Sequence, residues 1–459
     1  MTDLESRSAI NAISVDDVSE AVARIKSYVQ PYRGLLVRRE QGEHLERMVI
    51  GLTSNLERKS VEPIAVMHGI PRRGLQRFVG DNGWSEAPLL TRQLEEISSE
   101  IGLSNGSVIV DGSATPKKGV ETVGVARQWC GRLGKVDNCV VGVHAAYVGK
   151  DDAAALVASE LFLPRGWCGD KERRAEAYVP EDVEYRSQAK IAAGIIASLV
   201  ASGLPFKWVL GDDEFGRARH FRDAVANAGK SYVLDVPCNT VVRRVTKYGW
   251  VKDRDWTVER ITKRTRDEKW TSFMVRDGEK GPIEVRAFSL DVATRRAGGR
   301  WVGEILVVIE TLDVSQRWYC LARSSEPVPL SELVRQAGLR HRIEEVFAEC
   351  KGEIGLDHFE VRAWHGWYHH MALAQISHWF LVREKRRLGK KDIGVTVSQI
   401  RMMVAALLVP APTAQSAARL VNYHRNRNHR SRCSHYQARG FPSPEPIRRP
   451  CAPQTQAAQ

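Results

Sequence analysis

Apolar residues between positions 18 and 102 recur every three or four residues, with few β-branched runs, and this period predicts a helical region. The texture changes at 106. GSVIVDGS (106–113) reads as a short buried strand ending in Asp111, and residues 122–130 and 137–148 predict two more strands joined by a Gly-rich turn. Residues 186–203 are helical in pattern. FKWVLGDDEFG (206–216) is another buried strand that stops at a carboxylate cluster, followed by a helix over 216–229 and the strand SYVLDV. The order β-β-β-α-β-α-β predicts a mixed α/β sheet. Residues 239–322 break the alternation, with IEVRAFSL, WVGEILVVIETL and RWYCLAR set among charged turns. They predict an inserted β-rich module carrying Trp250, Trp256, Trp270, Trp301 and Trp318. The linker SSEPVPL (324–330) then leads to helices reaching about residue 390, and the Pro- and Gln-rich end from about 440 is expected to be disordered.

Within the first region, VEPIAVMHGIPRRGLQRFVG (61–80) has the spacing of a helix-turn-helix. Ala65, Gly69 and Leu75 fall where crossing helices touch and the turn needs a flexible backbone. Arg72, Arg73 and Arg77 would then lie on or near the second helix, available to phosphates or base edges. A plain helical hairpin explains the same pattern, with Pro71 simply starting a helix.

Composition narrows the classes. At 459 residues the chain can hold about two to four domains. No run of about 18 apolar residues occurs, so no membrane span is expected. The opening MTDLESRSAINAISVDD lacks the apolar stretch of a signal peptide. The eight cysteines form no CxxC and no zinc-site spacing with His, which suits scattered reduced thiols. The adjacent His369 and His370 diverge by about 100° on a helix and cannot chelate one ion together. Net charge is +13, which favours a polyanionic partner. Residues 239–280 hold twelve Lys or Arg against seven acids, and residues 420–449 hold seven Arg against one acid. Within the latter, Arg425, Arg427, Arg430 and Arg432 would repel one another without a polyanion.

LRHRIEEVFAECKGEIGLDHFE (339–360) carries Arg340, Glu344 and Lys351 at spacings of four and seven. On one straight helix these would fall at roughly 0°, 40° and 20°, so all three would share a face. A solvated charged stripe gives the same spacing. Three separated carboxylates, Asp111, Asp212 and Glu344, would repel if they converged, unless divalent cations joined them. Oxygen-only ligands with open positions suit Mg²⁺ or Mn²⁺. Singly, each acid has a bland reading: a turn aspartate, a helix cap and a partner for Arg340.

At this point YRGLL (32–36), LQRF (75–78) with Trp84, VDGSATPKKG (110–119), VGVARQWCGRLGKVDNCVVGV (123–143), LFLP (161–164), GDDEFG (211–216) and GLDHFEVRAW (355–364) together resemble bacterial insertion-sequence DDE transposases of the IS-four superfamily, IS-seven-oh-one group. The resemblance runs from about residue 30 to 436. It implies an α/β ribonuclease H-like mixed sheet with a β-rich insertion, plus a helical N-terminal DNA-binding domain. It implies the catalytic and metal-binding set Asp111, Asp212 and Glu344, with two Mg²⁺ (or Mn²⁺) ions per site. Arg340, Glu344 and Lys351 fit the family pattern Y-x2-R-x3-E-x6-K, whose tyrosine position is Ala337 here. Lys117 and Lys118 would be further phosphate contacts, and Trp301 would stack on a flipped base; a solvated turn and a core tryptophan are the competing readings. The implied partners are DNA (element ends and target) and a second copy of the chain on paired ends, in a bacterial cytoplasmic, nucleoid-associated setting. The implied layout is 1–103 helical, 104–238 and 323–395 the two parts of the ribonuclease H-like core, 239–322 the insertion, and 396–459 a basic C-terminal region. The rival readings are a catalytically silent DNA-binding protein and a related nuclease without strand transfer.

Overall fold

The computed structural model describes residues 15–81, 83–246, 251–278, 281–389, 395–408 and 414–438. The tail from about 440 and Trp250 lie outside the described residues. Six helices come first: α1 (Val15–Ser19), α2 (Ala21–Arg33), α3 (Arg39–Thr53), α4 (Val61–Met67), α5 (Arg72–Gly80) and α6 (Ala87–Ile101). The helix-turn-helix-like stretch forms α4 and α5, joined at Gly69, whose φ of 65° needs a residue without a Cβ penalty. Ala65 and Leu75 are buried at the crossing.

Strands β1 (Ser107–Pro116), β2 (Ala126–Cys130), β3 (Lys135–Val148) and β4 (Ala154–Leu161) follow. Next come α7 (Arg165–Gly169), α8 (Lys171–Glu176), α9 (Gln188–Ala201), β5 (Trp208–Gly211), α10 (Asp213–Arg217), α11 (Arg219–Asn227) and β6 (Ser231–Asp235). The insertion region supplies β7 (Val241–Val245), β8 (Val251–Thr257), α12 (Val258–Thr262), β9 (Thr271–Gly278), β10 (Gly281–Arg295), β11 (Trp301–Thr311) and β12 (Arg317–Arg323). The chain closes with α13 (Leu330–Leu339), α14 (Arg342–Glu349), α15 (Trp364–Gly389), α16 (Val397–Leu408) and α17 (Ala414–Ala438).

All twelve strands join one mixed sheet. Its central part runs β4-β3-β1-β5-β6. In it β1, β5 and β6 are parallel, while β3 is antiparallel to both β1 and β4. This arrangement is consistent with the ribonuclease H-like sheet expected. The β-rich segment extends that sheet through the antiparallel β6–β12 pair rather than standing apart from it.

Four expectations need correction. β1 does not end at Asp111 but runs on to Pro116, because ten consecutive residues pair with β3. Pairing on the second strand starts only at Ala126, not 122. AALVASEL forms β4, a strand the periodicity did not signal; its Ala, Leu and Glu favour helix, and sheet burial overrides that preference. The helix over 216–229 is two pieces, broken at Ala218.

The main core joins the N-terminal helices to the sheet. Its axis is α15, whose residues from His369 to Val382 are buried on every side, the polar ones among them included. α15 packs on α3, α5, α6 and β4 and so ties the helical region to the sheet.

Candidate active site

β1 and β5 run parallel, with Val110 opposite Gly211 as the last bonded pair. The next residue after each strand position is an aspartate. Asp111 and Asp212 therefore emerge side by side on neighbouring strands, about 4.8 Å apart in backbone spacing. Asp212 is held by α10, whose first turn it caps by accepting from the Glu214 N–H at 3.0 Å. Gly216, the last residue of GDDEFG, lets α10 lie on β6, since a Cβ there would overlap the Asp235 carbonyl oxygen. Asp111 accepts from the Gly112 N–H at 2.7 Å. Its carboxyl is pushed up to about 7, first by burial and then by the charge of Asp212. Burial also raises the Asp212 carboxyl.

The third acid arrives from the other side of the sheet order. α14 packs across β1, β3 and β4 and carries Glu344 in its first turn. Glu344 is 60% exposed at its side chain and pairs with Arg340 at 3.3 Å. Arg340 also pairs with Asp235 at 2.9 Å. Burial opposes the charge of this guanidinium, but Asp235, Glu344, Asp111 and Asp212 more than offset it. Four acids thus surround one arginine. Among the described residues no three His, Cys, Asp or Glu side chains are gathered closely enough to hold an ion as they stand.

Arg340, Glu344 and Lys351 do not ride one straight helix. α13 stops at Leu339, α14 starts at Arg342, and Lys351 lies in a wide π turn over Cys350–Ile354 that Gly355 ends at φ 74°. The shared face predicted from 100° steps therefore fails as geometry. A break at 340–341, where His341 Nδ1 meets the Gly338 carbonyl at 2.5 Å, replaces it. Lys351 nevertheless lines a small cavity with Ser113, His144 and Asp357. Its amine is depressed by burial, with the charge of Asp357 acting against that.

Residues 31–282 match the family model described as DDE superfamily endonuclease, more than half of the chain. The chain belongs to the DDE endonuclease superfamily. That match contains Asp111 and Asp212 and ends before Glu344. The chain is also 25% identical over 341 residues to "Probable transposase for insertion sequence element IS701" from Microchaete diplosiphon, covering 73% of this chain and 81% of the relative. Among solved structures, the cryo-EM structure of the piggyBac transposase synaptic complex with hairpin DNA aligns with a TM-score of 0.38 and 9% identity, over 91% of this chain and 86% of that one.

In this DDE superfamily chain two residues at the site carried no flag in the sequence reading. Asp235 ends β6, and SYVLD repeats the apolar-run-then-Asp pattern of SVIVD and WVLGD, so a signal existed. His144 stands directly opposite Asp111 across the β1–β3 pair and so faces the same side of the sheet. It is buried, bonds Ser159 Oγ through Nδ1 at 2.8 Å, and is pushed down to about 3 by burial and then by Lys351.

The remaining expected contacts are dispersed. Lys117 is not a solvated turn residue: its Nζ donates to the Phe359 carbonyl at 2.7 Å, and burial pushes it down to about 7. Lys118 is exposed. Arg72, Arg73 and Arg77 are exposed on α5, with Arg72 paired to Glu62 at 2.8 Å. Arg430 of α17 reaches the same Glu62 at 2.8 Å. Arg425 and Arg432 are exposed, and Arg427 lies on the same helix. Trp301 starts β11 with the Arg243 guanidinium 4.3 Å from its ring centre. His369 and His370 are buried and bonded to backbone carbonyls, which makes them core residues.

Proposed function

We propose that the chain is a DNA transposase that binds the terminal inverted repeats of its element, cleaves at the ends and joins the 3′-hydroxyls to target DNA in a cut-and-paste reaction. The observation that carries this reading is the placement of Asp111 and Asp212 past one paired strand position, both carboxyls raised and short of compensating positive charge. Carboxylates in that condition suit a hard divalent cation such as Mg²⁺ or Mn²⁺. Asp111 and Asp212 would hold it, with Glu344 as third ligand after leaving Arg340. Two such ions, when bound, stabilise both the attacking and the leaving oxygen of an in-line phosphoryl displacement.

The chain's own residues do the rest. Asp111 and Asp212 would hold the cations as ionised carboxylates. Arg340, which Asp235 holds at 2.9 Å, would be free to meet the scissile strand once Glu344 leaves it. Lys351, whose amine burial holds below its ordinary value, would regain a stabilising counter-charge when a phosphate approaches it. α5, α17 and Lys118 offer exposed cations for the flanking backbone, whose contacts position DNA without reading its sequence. Assembly of two copies on paired ends belongs to the same reading.

The test is to incubate the purified protein with Mg²⁺ and the DNA that flanks its coding region, and to map the 3′ ends. Cleavage at discrete ends plus joined products supports a transposase. Cleavage without joined products would reduce the reading to a nuclease. No metal-dependent cleavage would overturn it.

A further inference from the structure

Trp256 closes β8, the outermost strand of the sheet path, and packs on a second apolar core containing Val242, Val258 and Ile261. Three guanidinium groups crowd its ring. Arg254, Arg260 and Arg264 lie 4.6, 4.8 and 5.0 Å from its centre. All three side chains are exposed. None has an acidic partner among the described residues, and the described acids nearby are engaged elsewhere. Asp255 pairs with Arg243, Glu259 with Lys263, and Glu268 with Arg266.

No two of these guanidinium centres are more than about 10 Å apart, which is about one Debye length at moderate salt. They repel one another, and the ring faces compensate only in part. A row of phosphates removes the repulsion, and guanidinium forks match phosphate oxygens in pairs. A stacked guanidinium is also pre-oriented, so less side-chain freedom is lost on binding.

We propose that Trp256 with Arg254, Arg260 and Arg264 forms an anchoring site for the phosphate backbone of duplex DNA, separate from the carboxylate site. β8 lies seven strand positions from β1 in the sheet order, well removed from the carboxylates. Substitutions there leave Asp111 and its neighbours in place. The inference rests on the DNA-processing reading above and adds to it a second, sequence-independent grip.

The test uses the full chain and a 40-base-pair duplex of random sequence, with binding followed by fluorescence anisotropy across a series of NaCl concentrations. Replacing Arg254→Gln, Arg260→Gln and Arg264→Gln together should weaken binding at 100 mM NaCl tenfold or more. It should also flatten the slope of log affinity against log salt by about 2 to 3, the loss of about three phosphate contacts. The charge-conserving set Arg254→Lys, Arg260→Lys and Arg264→Lys should keep most of that slope. A Lys set that flattens the slope as much as the Gln set would assign the loss to structure and overturn the proposal. Wild-type binding with an unchanged slope in the Gln set would overturn the anchor alone. A wild-type chain that binds no duplex at all would remove the DNA-processing reading itself.

Discussion

Asp111 and Glu304 are both buried acids on strands of one sheet, and they live in opposite electrostatic conditions. Glu304, on β11, is 4% exposed and completely partnered. Arg222 pairs with it at 2.9 Å, Arg296 at 3.3 Å and Tyr232 donates at 2.5 Å, with Thr294 on its second oxygen. Burial works against its charge, but the two arginines win and its carboxyl falls below the usual range. Asp111 has one backbone donor and an aspartate neighbour, and its carboxyl rises to about 7. One acid is built to stay ionised within the fold. The other is left short of positive charge, the state expected where a site awaits a charged ligand. The Glu304 cluster instead ties α11 to β10 and β11, a structural role.

The contrast can be broken experimentally. Asp111→Asn should cut DNA cleavage by at least about 10³-fold, equivalent to about 4 kcal/mol of transition-state stabilisation. Duplex binding should persist and the melting temperature should hold or rise, as removal of a repelling charge at an active site predicts; end-labelled cleavage and thermal melts check both. Glu304→Gln should do the reverse, costing about 3–5 kcal/mol of stability by leaving buried arginines uncompensated. Denaturant titration reads that loss, and a change under about 1 kcal/mol would mean the cluster is dispensable.

The pH dependence sharpens the difference. The folded carboxyl of Asp111 titrates near 7 and the unfolded one near its ordinary value, so between about 4 and 7 the folded state binds more protons. That contribution to stability is present at low pH and is lost as pH rises through this window. Metal-free wild-type protein should therefore lose stability across it relative to Asp111→Asn, and Mg²⁺ should remove the difference. Thermal melts at intervals from pH 4 to 8 test the sign. The smallest effect is expected at Lys351→Glu, which should weaken binding to cleaved ends about tenfold, or about 1.4 kcal/mol. Unchanged end binding and strand transfer would free Lys351 of any phosphate role.

The adjacency of Asp111 and Asp212 was legible in the sequence because two apolar strand runs each deliver an aspartate, VIVD and VLGD. The third run, YVLD, obeyed the same rule and was passed over, although Asp235 holds the arginine that binds Glu344. The break between α13 and α14 was not legible. Local spacing cannot report a kink imposed by packing, and Gly338 at that end lies so close to Val275 of β9 that a Cβ would overlap it. His144 was hidden for a related reason: VGVHAAYV reads only as buried strand, and what faces Asp111 is decided by strand register. β4 was missed because Ala, Leu and Glu speak for helix until a partner strand is present. The bland readings of Asp212 as a cap and Glu344 as an arginine partner are both realised in the structure, so they coexist with the proposed site rather than compete with it.

The most direct test is anomalous diffraction from crystals of the protein bound to DNA and soaked in MnCl₂. The account predicts Mn²⁺ peaks in contact with both Asp111 and Asp212, with Glu344 turned from Arg340 onto the metal. Ordered DNA at the site with no peak between the two aspartates, or with Mn²⁺ bound elsewhere on the chain, would contradict it.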